Sequence, residues 1–181
     1  MAIKDDLQII YFTEEQIENR IKELGLEITE DYKDKNLVII TLLKGAAPFS
    51  CELMKNIDCY LRTDYLIASS YGGNTYSSGD VNIVKDISID ITNKDVLLVD
   101  DILDTGYTLE YVKELLANKG PRSLKLCVLL DKPERRKTRI KADYCGFTIP
   151  DEFVVGYGLD YNQLYRNLPY IGVLKEEIYK D

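Results

Sequence analysis

The apolar residues of this chain fall into two kinds of pattern. At 37–43 (LVIITLL), 96–99 (VLLV) and 123–130 (SLKLCVLL) they run almost without interruption over strand lengths. Such runs mark strands covered on both faces, and 37–43 is expected near the middle of a sheet. Elsewhere the spacing is helical: Ile17, Ile21 and Leu24 share one face, as do Leu109, Val112, Leu115 and Leu116. Thr13-Glu14-Glu15-Gln16 is a capping-box signature opening the first of these helices, and Gly25 is expected to end it. Residues 31–35 then read as a charged turn. Lys119-Gly120-Pro121 stops the second helix with a cation, a glycine and a proline. A third helix is expected over 49–56, with Pro48 near its first turn. Shorter runs at 9–12, 59–68, 81–85, 144–148, 153–156 and 169–174 read as strands, the first at an edge and the third as the second arm of a ribbon. Residues 175–180 close as a helical turn. Strands alternating with helices predict an α/β fold, a mostly parallel central sheet flanked by helices. With no repeat or linker, residues 1–181 read as one domain.

Chemistry concentrates at 96–108, VLLVDDILDTGYT. Asp100 and Asp101 end an apolar run, where burial without partners is costly. A hydroxyl-rich loop follows, and Thr108 opens the helix. That order leaves the loop at the carboxyl edge of a parallel sheet, where open α/β folds bind ligands. Amides at a helix start are unpaired, the helix dipole favours an anion beside them, Thr105 and Thr108 add hydroxyls, and Gly106 permits close approach. This suits a phosphate monoester. Carboxylates repel phosphate but hold sugar hydroxyls, through charge-assisted bonds of about 1.5–3 kcal/mol each. Together they describe a site for a sugar phosphate. Any parallel strand, however, can end in aspartates and enter a capped helix. Residues 100–104 also fit the DDxxD pattern of prenyl-diphosphate enzymes. The β-type run before them, the Thr-Gly after them and the short chain argue against that all-helical fold.

Composition narrows the field. Among 181 residues there are 31 acidic and 23 basic side chains, for a net charge of −8. This argues against unspecific binding to nucleic acid or anionic membrane, and implies that an anionic substrate needs a local remedy such as a divalent cation. Histidine is absent, which removes Ser-His-Asp and Cys-His machinery and the usual zinc sites. Cys51, Cys59, Cys127 and Cys145 show no CxxC spacing and read as reduced thiols of a cytoplasmic protein. No apolar run is long enough to cross a bilayer.

The segment around Asp100 resembles the phosphoribosyl-diphosphate loop of the type I purine phosphoribosyltransferases, most closely their hypoxanthine-guanine branch. A second match is 150–161, PDEFVVGYGLDY, and the resemblance spans about 37–170 in order and spacing. It implies that fold with a small hood built from terminal segments and a flexible lid loop. It also implies Mg2+-dependent transfer of a 5-phosphoribosyl group from 5-phosphoribosyl 1-diphosphate to hypoxanthine or guanine, releasing diphosphate with IMP or GMP.

By that resemblance Thr105, Gly106, Tyr107 and Thr108 take the 5-phosphate, and Asp100 and Asp101 the ribose. Asp104 acts as general base at the purine imidazole. Lys44 and Gly45 grip the diphosphate with Arg166, while Ser70 and Tyr71 belong to the closing loop. Lys132 donates to the six-oxo oxygen, Phe153 stacks on the base and the Val154 backbone meets its edge. Asp100, Asp101 and Asp160 serve the metal, Asp160 through its water shell. The sequence departs from the family's pattern at Tyr107, often a lysine or another polar residue, at Asp100, often glutamate, and at Ala46, often a second glycine. A homodimer or homotetramer is implied. Two other readings stand beside the transferase: a regulator that binds phosphoribosyl diphosphate without turnover, and a phosphohydrolase using Asp100 as nucleophile.

Overall fold

A computed structural model of the chain describes residues 3–70 and 81–179, except the Ser70 side chain. The expected lid, with Tyr71 and the side chain of Ser70, lies outside the described residues. After a 3₁₀ turn at Ile3–Asp6 come β1 (Leu7–Phe12), α1 (Glu14–Tyr32), β2 (Leu37–Leu43), α2 (Ala47–Lys55), β3 (Leu61–Ser70) and β4 (Val81–Lys85). The chain continues with β5 (Asp95–Leu103), α3 (Tyr107–Ala117), β6 (Ser123–Asp131), β7 (Tyr144–Thr148), β8 (Val154–Val155), β9 (Ile171–Leu174) and α4 (Glu176–Tyr179).

A six-stranded sheet has the order β4-β3-β2-β5-β6-β7, parallel except for β4, which pairs antiparallel with β3. The continuous apolar runs have a simple cause. Successive side chains on a strand point to opposite faces, and both faces here are covered. Leu37, Ile39, Leu97, Val99, Cys127 and Leu129 pack with Ile17, Ile21, Leu24 and Ile28 of α1 and Phe49 and Leu53 of α2. Val38, Ile40, Leu42, Val96, Leu98, Leu126 and Val128 pack with Leu109, Val112 and Leu116 of α3. A second, three-stranded antiparallel sheet, β1-β9-β8, joins the two ends of the chain over a small cluster of Leu7, Val155, Tyr165, Leu168 and Leu174. This is the hood. Among the described residues no helix is long and apolar enough to cross a membrane.

The structure moves several boundaries, two of them with consequences for packing and for the site. Helix α1 begins at the capping box, with Gln16 N–H on Thr13 Oγ1 at 3.3 Å and Thr13 N–H on Gln16 Oε1 at 2.9 Å, but runs through Gly25 to Tyr32. A β-carbon on Gly25 would lie 2.4 Å from the Asn56 carbonyl oxygen, so this glycine marks where α1 meets the end of α2. Strand β5 likewise does not stop at the aspartates: its ladder with β6 continues through Asp100↔Val128 to Leu103↔Asp131. The acidic pair is therefore part of the sheet.

One buried carboxylate fastens the sheet edge. Asp64 on β3 accepts the amides of Tyr65 at 2.7 Å and Ile89 at 2.9 Å, the amide of Ser88, and Lys85 Nζ at 3.3 Å. Burial alone would raise its pKa, but the amides of Ile89, Tyr65 and Ser88 and the Lys85 ammonium outweigh burial and hold it at about 2.

Gly25→Ala should lower stability in urea unfolding by about 1–3 kcal/mol, the usual cost of overpacking a fitted contact. An unchanged midpoint would show that the two helices have room. Asp64→Asn should cost about 1–3 kcal/mol near neutral pH. Because the folded carboxyl titrates at about 2 and an unfolded one near ~3.9, that contribution is complete above the unfolded value. It fades as pH falls through the folded one. The gap between wild type and variant should close over that window, and a gap independent of pH contradicts the assignment.

Candidate active site

The acidic pair sits at the carboxyl end of β5, in the middle of the large sheet. Asp100 is only 9% exposed, and Asp101 lies against Gly45, where an added β-carbon would come within 1.7 Å of the Asp101 carboxylate. Burial pushes both carboxyls up. Asp100 rises well above the ordinary range because the Asp101 charge adds to burial, while the Arg166 charge opposes the rise at Asp101. Two such groups side by side call for hydroxyl or cation partners.

Past Leu103 the chain turns sharply. Gly106 adopts φ 92°, a left-handed conformation, and a β-carbon there would lie 2.3 Å from Thr138 Oγ1. Helix α3 starts one residue earlier than expected, at Tyr107, and no side chain caps it. Its first amides are available to an anion. A cavity of about 270 Å³ is lined by Asp100, Asp101, Asp104, Thr105, Gly106 and Thr108, together with Ile102 and Leu109. The predicted phosphate loop and acidic pair thus meet in one recess. Tyr107 does not line it and is 44% exposed.

The sequence reading missed what braces this loop. Arg136 donates to the carbonyls of Asp104 at 2.9 Å, Leu103 at 3.0 Å and Ile140 at 2.8 Å, and pairs with Asp131. Lys137 N–H donates to the Thr105 carbonyl at 2.9 Å, and Lys132 N–H to the Leu103 carbonyl at 2.9 Å. The cation run Arg135-Arg136-Lys137 was the available signal.

A second cavity, of about 290 Å³, is lined by Lys132, Arg135, Asp151 and Phe153, with Gln8, Glu152, Val173, Glu176 and Tyr179. Lys132 is 6% exposed, and Nζ donates to the Glu152 carbonyl at 2.6 Å. Burial lowers its pKa against the opposing charges of Asp104 and Asp151. Arg135 links the two cavities: Nε lies 2.7 Å from Asp104 Oδ1, an ion pair without hydrogen-bond alignment, and Nη1 lies 3.3 Å from Asp151 Oδ1. Val154 is buried in β8, opposite Val173 of β9, and its side chain does not line the cavity.

A third group gathers residues far apart in sequence. Gln163 Oε1 accepts from Lys44 Nζ at 3.4 Å and from Arg166 Nη2 at 3.2 Å. Arg166 also pairs with Asp160 Oδ1 at 2.7 Å and donates to the Gly158 carbonyl at 2.7 Å, while Gln163 N–H holds Asp160 Oδ2 at 2.8 Å. Asp160 is therefore engaged on both oxygens. Among the described residues no three acidic, cysteine or histidine side chains converge on one point, so Asp100, Asp101 and Asp160 form no ready-made metal cage. Wider cavities of about 610 and 530 Å³, along 138–145 and α3, contain none of the residues predicted for the site.

The phosphoribosyl transferase domain family matches residues 10–162. The hypoxanthine-guanine phosphoribosyltransferase of Staphylococcus aureus is 54% identical over 177 residues, covering 98% of this chain and 99% of that protein. A bifunctional TilS/HprT protein of Listeria innocua is 48% identical over 180 residues, 99% of this chain but 28% of that longer protein. The crystal structure of a Staphylococcus aureus hypoxanthine phosphoribosyltransferase superposes with a TM-score of 0.97 at 52% identity, covering 100% of this chain and 98% of that one. Family match, near-complete alignment and superposition agree: the chain belongs to the phosphoribosyltransferases, on the branch of the hypoxanthine-guanine enzymes.

Proposed function

We propose that the enzyme transfers a 5-phosphoribosyl group from 5-phosphoribosyl 1-diphosphate to hypoxanthine and guanine, giving IMP or GMP and diphosphate. The observation that carries this is one recess uniting a buried acidic pair with an uncapped, hydroxyl-lined helix start. Beside it, across Arg135, lies a cavity presenting a buried lysine and an exposed aromatic ring. A ribose 5-phosphate seated in the first turns its anomeric carbon toward a base in the second.

The residues divide the work by charge. Amides of 106–108 and the Thr105 and Thr108 hydroxyls take the phosphate, and Asp100 and Asp101 hold the ribose hydroxyls. As the diphosphate departs, the sugar becomes oxocarbenium-like, so positioning and leaving-group charge dominate the barrier. Lys44, the Gly45 backbone and Arg166 serve that leaving group. Asp104 takes the proton from the purine imidazole as its nitrogen bonds to carbon. Lys132 offers only donors, so it favours a six-oxo group over a six-amino group. Val154 supplies backbone groups to the base edge. The Ser70-Tyr71 loop would exclude water during the reaction.

Magnesium fits this donor set in one way. The oxygens of Asp100, Asp101 and Asp160 would suit it, since magnesium prefers oxygen ligands and keeps several waters. When bound, Mg2+ neutralises charge on the diphosphate. For Asp160 to take part directly, its pair with Arg166 must open. Kinship also implies a cytoplasmic homodimer or homotetramer, which sedimentation of the purified protein would read.

Assays with hypoxanthine, guanine, xanthine and adenine, with Mg2+ or EDTA, test the reading. Nucleotide should form from the first two bases and stop with EDTA; binding without product would support the regulator, and phosphate release a hydrolase. Asp104→Asn should lower kcat by about 10²–10⁴-fold, the range for a general base, with little change in KM for phosphoribosyl diphosphate. Unaltered turnover would remove Asp104 from the chemistry. Lys132→Gln places an acceptor beside the donor, so the ratio of hypoxanthine to adenine use should fall by about 10-fold or more. An unchanged ratio would mean that Lys132 does not read position six.

A further inference from the structure

Phe153, on which the purine is taken to stack, does not stand alone. It precedes β8, its carbonyl accepts the Leu174 amide at 2.9 Å, and its side chain is 37% exposed. The Tyr179 ring lies nearly parallel to it, centroids 4.7 Å apart at 23°. The Tyr161 ring meets it edge-on at 5.7 Å and 89°, and the two tyrosines meet at 6.4 Å and 67°. Tyr161 and Tyr179 pack in turn against the hood cluster of Leu7, Val155, Tyr165, Leu168 and Leu174. Phe153 thus rests on a tyrosine pair that is itself seated against the hood core, and Phe153 and Tyr179 both border the cavity.

The chain end is pinned where this requires it. Lys175 N–H donates to the Asp6 carbonyl at 3.0 Å, and the Tyr165 hydroxyl donates to the Asp6 carboxylate at 2.9 Å. Ile178 N–H closes the turn onto the Lys175 carbonyl at 3.0 Å. An unsupported ring would have to be ordered by the base at the moment of binding, and that loss of freedom weakens affinity. A ring stacked beforehand is already flat and fixed.

We propose that Tyr179 is a positioning residue for the base: it backs one face of Phe153, so that the opposite face is presented to the purine. Tyr179 acts through Phe153 and not on the reacting atoms. The proposal rests on the transferase reading and adds the C-terminal turn to the base site.

Steady-state kinetics of the full-length enzyme test it. Tyr179→Ala should raise KM for hypoxanthine about 3–10-fold, the scale of one aromatic pair, with kcat and KM for phosphoribosyl diphosphate within about twofold. Tyr179→Leu, which keeps bulk without a plane, should behave like Tyr179→Ala, and Tyr179→Phe like wild type. In a Phe153→Leu background, Tyr179→Ala should add nothing, since the partner ring is gone. An unchanged KM for hypoxanthine overturns the proposal. So does a lowered one, which would mean that Tyr179 competes with the base for Phe153. Equal losses in kcat and both KM values overturn it in favour of a general structural role. A wild-type enzyme that forms no nucleotide removes the transferase reading itself, and this inference with it.

Discussion

Two carboxylates are held out of water at the end of a strand whose preceding residues are wholly buried, and the site is arranged around satisfying them. A sheet covered on both faces has no place for polar groups except at strand ends. The largest concentration of chemistry therefore falls where β5 emerges, beside β2 and β6. Burial raises the proton affinity of both carboxyls, and the Asp101 charge raises that of Asp100 further, while Gly45 just past β2 leaves the space that the Asp101 carboxylate fills. The pair is costly until a partner with hydroxyls or positive charge arrives.

The cations around the pair are set out in the same spirit. The chain is acidic overall, yet Lys44, Lys132, Arg135, Arg136 and Arg166 all lie at the strand ends or in the loops beside them. Arg136 spends its donors on backbone carbonyls and so sets the shape of the phosphate loop. Arg135 spans from the loop to the base cavity, tying Asp104 to Asp151. Lys44 and Arg166 meet on Gln163, which gives two like charges a shared acceptor. A local excess of donors lets an acidic protein take highly anionic substrates.

The hood has a different logic. Its sheet is short and its core small, so alone it would be marginal. It is built from both chain ends, and Asp6 fastens them together through its backbone and its carboxylate. Stability of that joint and geometry of the base platform are consequently one property.

Much of this was legible in the residues. The runs at 37–43 and 96–99 announced strands covered on both sides, the capping box located the start of α1, and Asp-Thr-Gly located the loop that enters α3, because each rests on chemistry within a few neighbouring positions. What depended on distant partners was not. Gly25 breaks no helix, because its purpose is contact with Asn56. The aspartates stay in the ladder because β6 continues beside them. Gln163 and Tyr179 carry no local pattern that distinguishes them from surface residues, and the cation run at 135–137 does not say which carbonyls and carboxylates it meets. Short-range order is written in adjacent side chains, and it determined the class of fold and the loop from the acidic pair into α3. Which cation meets which carboxylate, and which ring lies behind Phe153, was decided only when the sheet and hood brought remote segments within bonding distance.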